Sequence, residues 1–274
     1  MNKKSLTLAH QIRLHGLNMT HLGGTSHIGS IFSMADILGV LYSDILHHDP
    51  KNPQMPDRDR LILSKGHAGA GVYAALAECG YFPVEDLKLH CQNGSHFSGH
   101  VSHKGIPGVE ISTGSLGQGM PMAMGMAMAA KLNHQAHRVY CIIGDGECDE
   151  GAVWESALIA NQYKLDNFII TIDFNKFQSL APVEETIALE PLDLKWQSFG
   201  WHVIRVDGHD HNALHSAYEE ARNAMGSRKP IVIIADTVKG KGVSFMENTV
   251  LWHYRTARGE EYDAALLELE AAKP

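Results

Sequence analysis

Two oxygen-bearing side chains stand out by type and by place. Gly144-Asp145-Gly146 follows directly on the apolar run 139–143, and Asn175 follows the next such run, 168–173. Between the runs, residues 150–163 carry a helical pattern. In an open parallel sheet, ligands gather beyond the carboxyl ends of the strands. A strand–helix–strand reading therefore sets the Asp145 carboxylate and the Asn175 carboxamide at the mouths of two consecutive strands. Hard oxygens of this kind suit Mg²⁺ or Ca²⁺, and Mg²⁺ takes only one or two protein oxygens before completing its shell with phosphate and water. Gly144 and Gly146, lacking side chains, let the backbone approach a diphosphate closely.

A second glycine-rich stretch, Ser112-Thr113-Gly114-Ser115-Leu116-Gly117-Gln118-Gly119, opens a helical pattern over 117–132. A helix N-terminus offers N–H groups and a favourable dipole to anions. Eighteen histidines form a third signal. His27, His67, His100 and His253 each follow a glycine or small-residue loop, where sites collect in this architecture. Imidazole can move protons near neutral pH. His47, His48, His209 and His211 read as surface or structural, with Gly208-His209-Asp210 a capping turn before a helix.

The elements that must position these groups alternate along the chain. Strands are predicted at 61–64, 139–143, 168–173, 202–206 and 231–235. Helices are predicted at 33–42, 117–132, 150–163 and 212–224, the first with Ser33 as its cap and Asp36 at the capping-box position, and an acidic helical tail closes the sequence. Near-continuous apolar runs suit strands buried on both faces. The expectation is an α/β fold: a doubly wound, mostly parallel sheet with right-handed crossovers. Methionines recurring at every second position over 120–128 read as core packing.

The bulk composition narrows the class. The chain has 274 residues, 44% of them hydrophobic, and a formal net charge of −8, which argues against a nucleic-acid binder. It contains no apolar run long enough to span a membrane, and its polar start lacks the core of a signal peptide, so the cytoplasm is the expected compartment. Cys79, Cys91, Cys141 and Cys148 match no metal or disulfide spacing and read as buried or half-buried thiols.

On Gly144-Asp145-Gly146 with Asn175, on the 112–119 stretch and on the four histidine loops, the sequence resembles transketolase over essentially its whole length. The resemblance implies one N-terminal thiamine-diphosphate-binding domain over residues 1–274. It implies Mg²⁺, with Ca²⁺ or Mn²⁺ as substitutes, held by Asp145, Asn175 and the backbone carbonyl of Phe177. His67, Gly114, Leu116, Gly144, Asp145, Gly146, Asn175, Gln178, Lys239 and His253 would line the cofactor. His27 and His253 would lie near the donor C3 hydroxyl, and His67 and His100 near the cofactor and the donor C1 and C2 oxygens. Ser30 and Lys65 are neighbours of that site, and Glu150 and Glu155 fall in a region that reaches the dimer interface.

The family's activating glutamate, which protonates the aminopyrimidine, lies in a second α/β domain beyond the region matched here. The resemblance therefore implies a split enzyme: a partner chain carries the pyrimidine-binding and C-terminal domains, in an α2β2 assembly that transfers a two-carbon ketol unit between sugars. The rival readings are the α-type subunit of a 2-oxoacid dehydrogenase, a deoxyxylulose-phosphate-synthase-like fragment, and a non-catalytic assembly subunit.

Overall fold

A computed structural model describes residues 3–274. Its sheet has five strands, β1 Arg60–Leu63, β2 Val139–Gly144, β3 Phe168–Phe174, β4 His202–Asp207 and β5 Ile231–Asp236, in the order β1-β2-β3-β5-β4. All four pairings are parallel, with Gly144 opposite Asp173 and Phe174 opposite Asp236. Every predicted strand is present, shifted by no more than a residue or so at either end. The α/β, parallel-sheet expectation holds.

Helices cover both faces. α1 Lys3–Gly23, α2 Ile28–Ser33, α3 Ala35–Val40, α4 Gly69–Glu78, α9 His211–Asn223 and α10 Glu260–Ala271 pack into one core. α5 Gly119–Leu132, α6 Gly151–Gln162 and α8 Leu192–Ser198 pack into the other, with the short α7 Val183–Thr186 beside them. Side chains alternate across a strand, so each central strand feeds both cores. Tyr140 and Ile142 point into the first, Val139, Cys141 and Ile143 into the second. Ile231 and Ile233 oppose Val232 and Ile234 in the same way. β4 departs from the expected two-sided burial. As the edge strand beside β5 it is only half-buried, and Arg205 and Asp207 on it are exposed.

Three local expectations are corrected. The segment 33–42 is not one helix capped by Ser33. Ser33 ends α2, α3 begins at Ala35, and a π-helical turn, Leu41–Ile45, follows. The reason is that both polar side chains have better partners elsewhere. The Ser33 hydroxyl donates to Asp173 at 2.5 Å, and the Asp36 carboxylate is paired with Arg13, not with a helix start. The methionines of 120–128 do not form a core stripe, because a period of two walks around a helix. The buried stripe of α5 is Met120, Ala123, Ala127 and Ala130, while Met122 is exposed and Met124, Met126 and Met128 are half-buried. Cys91 is exposed; Cys141 and Cys148 are buried and Cys79 is half-buried, and all four thiols are free. No helix among the described residues is long and apolar enough to cross a membrane.

Candidate active site

The carboxyl ends of four adjacent strands deliver the site. Lys65 and His67 follow β1, Asp145 follows β2, Asn175 follows β3 and Lys239 follows β5. They border a cavity of ≈ 240 Å³ whose lining includes His27, His67, His100, His253, Leu116, Gly144, Asp145, Gly146, Asn175, Phe177 and Gln178. Ser30 and Lys65 line it as well. Of the residues singled out from sequence, Gly114 and Lys239 stand just behind the wall. A Cβ on Gly114 would come within 3.3 Å of the His100 ring. Lys239, wholly buried, sends Nζ to the Phe177 carbonyl (3.1 Å), the Gln178 carbonyl (2.8 Å) and His253 Nδ1 (2.8 Å). Glu150 and Glu155, at the start and on the outer side of α6, are exposed and lie outside the cavity.

Chain segments far apart in sequence bring the four histidines together. The His27 ring centroid lies 5.0 Å from His67, 5.8 Å from His100 and 5.0 Å from His253, and His67 lies 5.6 Å from His253. His27 sits at the N-cap of α2 with φ of 76°, a left-handed conformation that a side chain with a Cβ seldom adopts. The cost is offset by its backbone bonds. Its N–H donates to the His253 carbonyl at 2.8 Å, and its carbonyl accepts from Ser30 N at 3.0 Å. Such strain persists where surrounding contacts over-determine it. The His100 segment lies across the β1 exit: Val101 N–H donates to the Gly66 carbonyl at 2.9 Å. Position 66 tolerates only glycine, since a Cβ there would sit 2.2 Å from the Thr113 carbonyl oxygen.

Loss of solvent keeps the His27, His67 and His253 imidazoles neutral, whereas His100 is exposed. His27 is lowered to about 4, first by desolvation and then by His100 and Lys239. His253 is lowered to about 3 by desolvation and then by Lys239 and His27. His67 falls well below its ordinary value for the same leading reason, with Lys65 adding to it. Lys239 is itself lowered to about 8 by burial. Because the Lys239 ammonium donates to His253 Nδ1, the neutral His253 carries its proton on Nε2. His27 Nδ1 pairs with the Ser26 hydroxyl at 3.0 Å.

Asp145 is the carboxylate at the metal-type position. It accepts from Gly146 N at 2.8 Å and Lys176 N at 2.5 Å, and is only 3% exposed. Desolvation, then the nearby Asp173, raises its carboxyl to about 7. Asn175 Oδ1 accepts from Phe177 N at 3.1 Å. The Phe177 carbonyl, bonded to Lys239, retains a second lone pair. No cluster of three or more His, Cys, Asp or Glu residues placed to hold a metal exists among the described residues. A buried carboxylate short of positive charge, beside neutral oxygens, fits a hard divalent cation that takes few protein ligands and shares a diphosphate.

The expected anion site at the start of α5 differs. Gly117 N–H donates to Glu147 Oε1 at 2.9 Å and Met120 N–H to Ser64 Oγ at 3.0 Å, so these donors are already engaged. Glu147, which the sequence motifs do not single out, is buried, bonds Ser64, and accepts from Gly144 N at 3.2 Å. It locks the 112–119 turn to the β2 exit. Its place two residues beyond Asp145, within the loop itself, is the only sequence signal of that role. Asp173, equally silent in the motifs, is wholly buried and binds Lys65, Ser33 and Thr237. A lone carboxylate at the end of an apolar strand is its clue. Glu147, Ser179 and Tyr254 complete the lining.

The family described as transketolase, thiamine diphosphate binding domain, matches residues 4–266. Among curated relatives, the 6-deoxy-6-sulfo-D-fructose transketolase subunit SqwG of a Clostridium species is 42% identical over 98% of this chain and 98% of its own length. An apulose-4-phosphate transketolase subunit from Actinobacillus succinogenes is 41% identical over 98% of this chain and 96% of its own. The crystal structure of transketolase from Campylobacter jejuni superposes with a TM-score of 0.91 at 35% identity, covering 98% of this chain but 43% of that one.

Proposed function

Because the chain belongs to the transketolase family, matched through the thiamine-diphosphate-binding domain, we propose that it is the diphosphate-binding subunit of a two-chain transketolase. Residues 1–274 act as one such domain and transfer a two-carbon ketol unit from a ketose donor to an aldose acceptor. The observation that carries the reading is the convergence of His27, His67, His100 and His253 above Asp145 and Asn175 in one cavity. A scaffold subunit has no use for the neutral, solvent-poor imidazoles of His27, His67 and His253 beside the buried Asp145 carboxylate. The split arrangement is supported by length: the chain matches two proteins named as subunits end to end, yet spans about two-fifths of a solved transketolase. The partner chain would carry the pyrimidine-binding domain, in an α2β2 assembly.

Asp145, Asn175 and the Phe177 carbonyl would hold Mg²⁺, and Gly144, Gly146, Leu116, Gly114 and Gln178 would border the cofactor. When bound, thiamine diphosphate supplies the carbon nucleophile that accepts the two-carbon unit. The histidines manage protons on the sugar. Neutral His27, in the tautomer whose Nδ1–H donates to the Ser26 hydroxyl, would present Nε2 as an acceptor for a hydroxyl proton. His253, protonated on Nε2, is a hydrogen-bond donor toward a developing alkoxide. His67 and His100 border the same space and orient the remaining oxygens. Gln178 is itself oriented by Asp149, to which its amide donates at 2.6 Å.

The test is a ketol-transfer assay on the chain alone and with its partner, with thiamine diphosphate and Mg²⁺. Relatives of nearly equal identity are named for a sulfonated and a phosphorylated donor, so the panel includes 6-deoxy-6-sulfo-D-fructose, apulose 4-phosphate and xylulose 5-phosphate. Transfer in the pair only is expected. Full activity of the chain alone would overturn the two-chain reading.

A further inference from the structure

We propose that His209 is a positioning residue for Lys239, acting through the backbone at the exit of β5. His209 lies in the turn between β4 and α9, outside the cavity. Its Nδ1 is 2.6 Å from Asp36 Oδ2, and its Nε2 accepts the Val238 N–H at 2.8 Å. A backbone N–H only donates, so Nε2 bears no proton. The imidazole is therefore neutral, with its single proton on Nδ1 directed to Asp36. It forms a tautomer-locked link between a buried carboxylate and the peptide unit immediately before Lys239.

The carboxylate end of this link is anchored from several elements. Asp36 accepts from Arg13 Nη1 at 3.0 Å and Nη2 at 2.6 Å, and lies 3.0 Å from His211 Nε2. His211 is held in turn by Ser5 Oγ at 2.8 Å. Burial alone would raise the Asp36 carboxyl, but Arg13 and the two histidines hold it well below the usual carboxylate range. α1, α3 and the start of α9 thus meet at one ionised group.

The other end guides the chain into the site. The last β5-side bond to β3 is Thr237 N–H to the Phe174 carbonyl at 3.1 Å. At Val238 the chain leaves the sheet, and His209 replaces the lost strand partner. One residue on, Lys239 turns inward to the Phe177 and Gln178 carbonyls and to His253. Downstream, Gly240 N–H donates to the Gly29 carbonyl at 3.0 Å, and the Lys239 carbonyl accepts from Asn248 at 2.9 Å. His209 is the only side chain bonded to the Val238 N–H among the described residues. Removing it frees the peptide plane that aims Lys239. The effect on cofactor affinity rests on the reading of Lys239 as part of the cofactor site, whereas the effect on loop order does not.

The experiment is hydrogen–deuterium exchange on the full chain, followed by titration of the chain with thiamine diphosphate at saturating Mg²⁺. His209→Ala is expected to lower protection of the 237–242 amides by about tenfold or more while leaving β5 and α9 protected. His209→Gln, whose amide offers both an N–H donor and a carbonyl acceptor, restores it. Unchanged protection in His209→Ala overturns the proposal, as does loss that spreads through β5 and α9 or that Gln fails to rescue. In a double-mutant cycle, His209→Ala weakens cofactor binding by about tenfold when Lys239 is present and by less than about twofold in a Lys239→Ala background. Additive losses overturn the coupling. Wild-type cofactor affinity in Lys239→Ala alone removes Lys239 from the cofactor site, and the exchange result then decides the positioning role by itself.

Discussion

Lys65 and Asp173 form a buried ion pair at the cavity floor, with side-chain exposures of 1% and 0%. Lys65 comes from the loop after β1 and Asp173 from the end of β3, so the pair ties the exits of two strands separated by β2. Asp173 also accepts from the hydroxyls of Ser33 and Thr237, which adds α2 and the β5 exit to the same knot. Removing one partner of a buried pair leaves an uncompensated charge, at a cost of about 3–5 kcal/mol. Lys65→Met is therefore expected to lower the urea midpoint substantially, while a Lys65→Met/Asp173→Asn double variant recovers part of the loss. A single variant as stable as wild type would show that the pair is not a stabilising centre.

Asp145 sets binding of a cation against stability without it. Its folded pKa of about 7 stands above its ordinary value of 3.8. The folded chain thus holds the proton more tightly than the unfolded one, and its stability declines as pH rises from about 4 through 7. Asp145→Asn removes that decline. Its melting temperature in chelator is expected to match wild type near pH 4, to exceed it increasingly up to pH 7, and to run parallel above. Thiamine diphosphate with Mg²⁺ should raise the wild-type melting temperature and leave that of the variant unmoved. A variant that retains Mg²⁺-dependent cofactor binding would remove Asp145 from the metal site.

His27 is assigned to proton handling, not to holding the cofactor. His27→Asn should retain cofactor affinity within about threefold while losing roughly 10²–10⁴ in turnover, the usual contribution of a positioned acid or base. Calorimetric titration and initial rates on the assembled enzyme separate the two effects. Affinity lost in step with turnover would place this ring on the cofactor instead.

Assembly with a second chain is expected to cover part of the exposed apolar surface. Leu158, Ile159 and Tyr163 stand exposed on or just beyond α6, at 58%, 40% and 58%. Co-expression with the candidate partner followed by light scattering should give a species holding two copies of each chain. Leu158→Glu should weaken it by at least about tenfold if this face is at the contact. A variant that assembles as wild type would move the interface elsewhere.

Particular elements show what is legible in the chain and what is not. β2 and β3 are plain because parallel strands buried on both faces are written as unbroken apolar runs. Asp145 and Asn175 are plain because their place follows from where those runs stop. The break after Ser33 is hidden, since the partners that overrule a Ser cap, Asp173 for Ser33 and Arg13 for Asp36, lie on remote segments. Glu147 and His209 are hidden for the same reason. One reads as a loop carboxylate and the other as a turn residue until Ser64, Gly117, Asp36 and Val238 come into contact with them.

From sequence alone come the α/β class, the strand ends and the types of group that gather there, because local hydrophobic period and turn chemistry are encoded within a few residues of each element. The tertiary structure alone decides the strand order, with β5 inserted between β3 and β4, and the meeting of His27, His67, His100 and His253 within one cavity. It also decides the protonation of the His27, His67 and His253 rings. Their neutrality comes mainly from lost solvent, and after that from neighbouring charges that include Lys65 and Lys239. Both arise only when segments distant in the chain close over the same space.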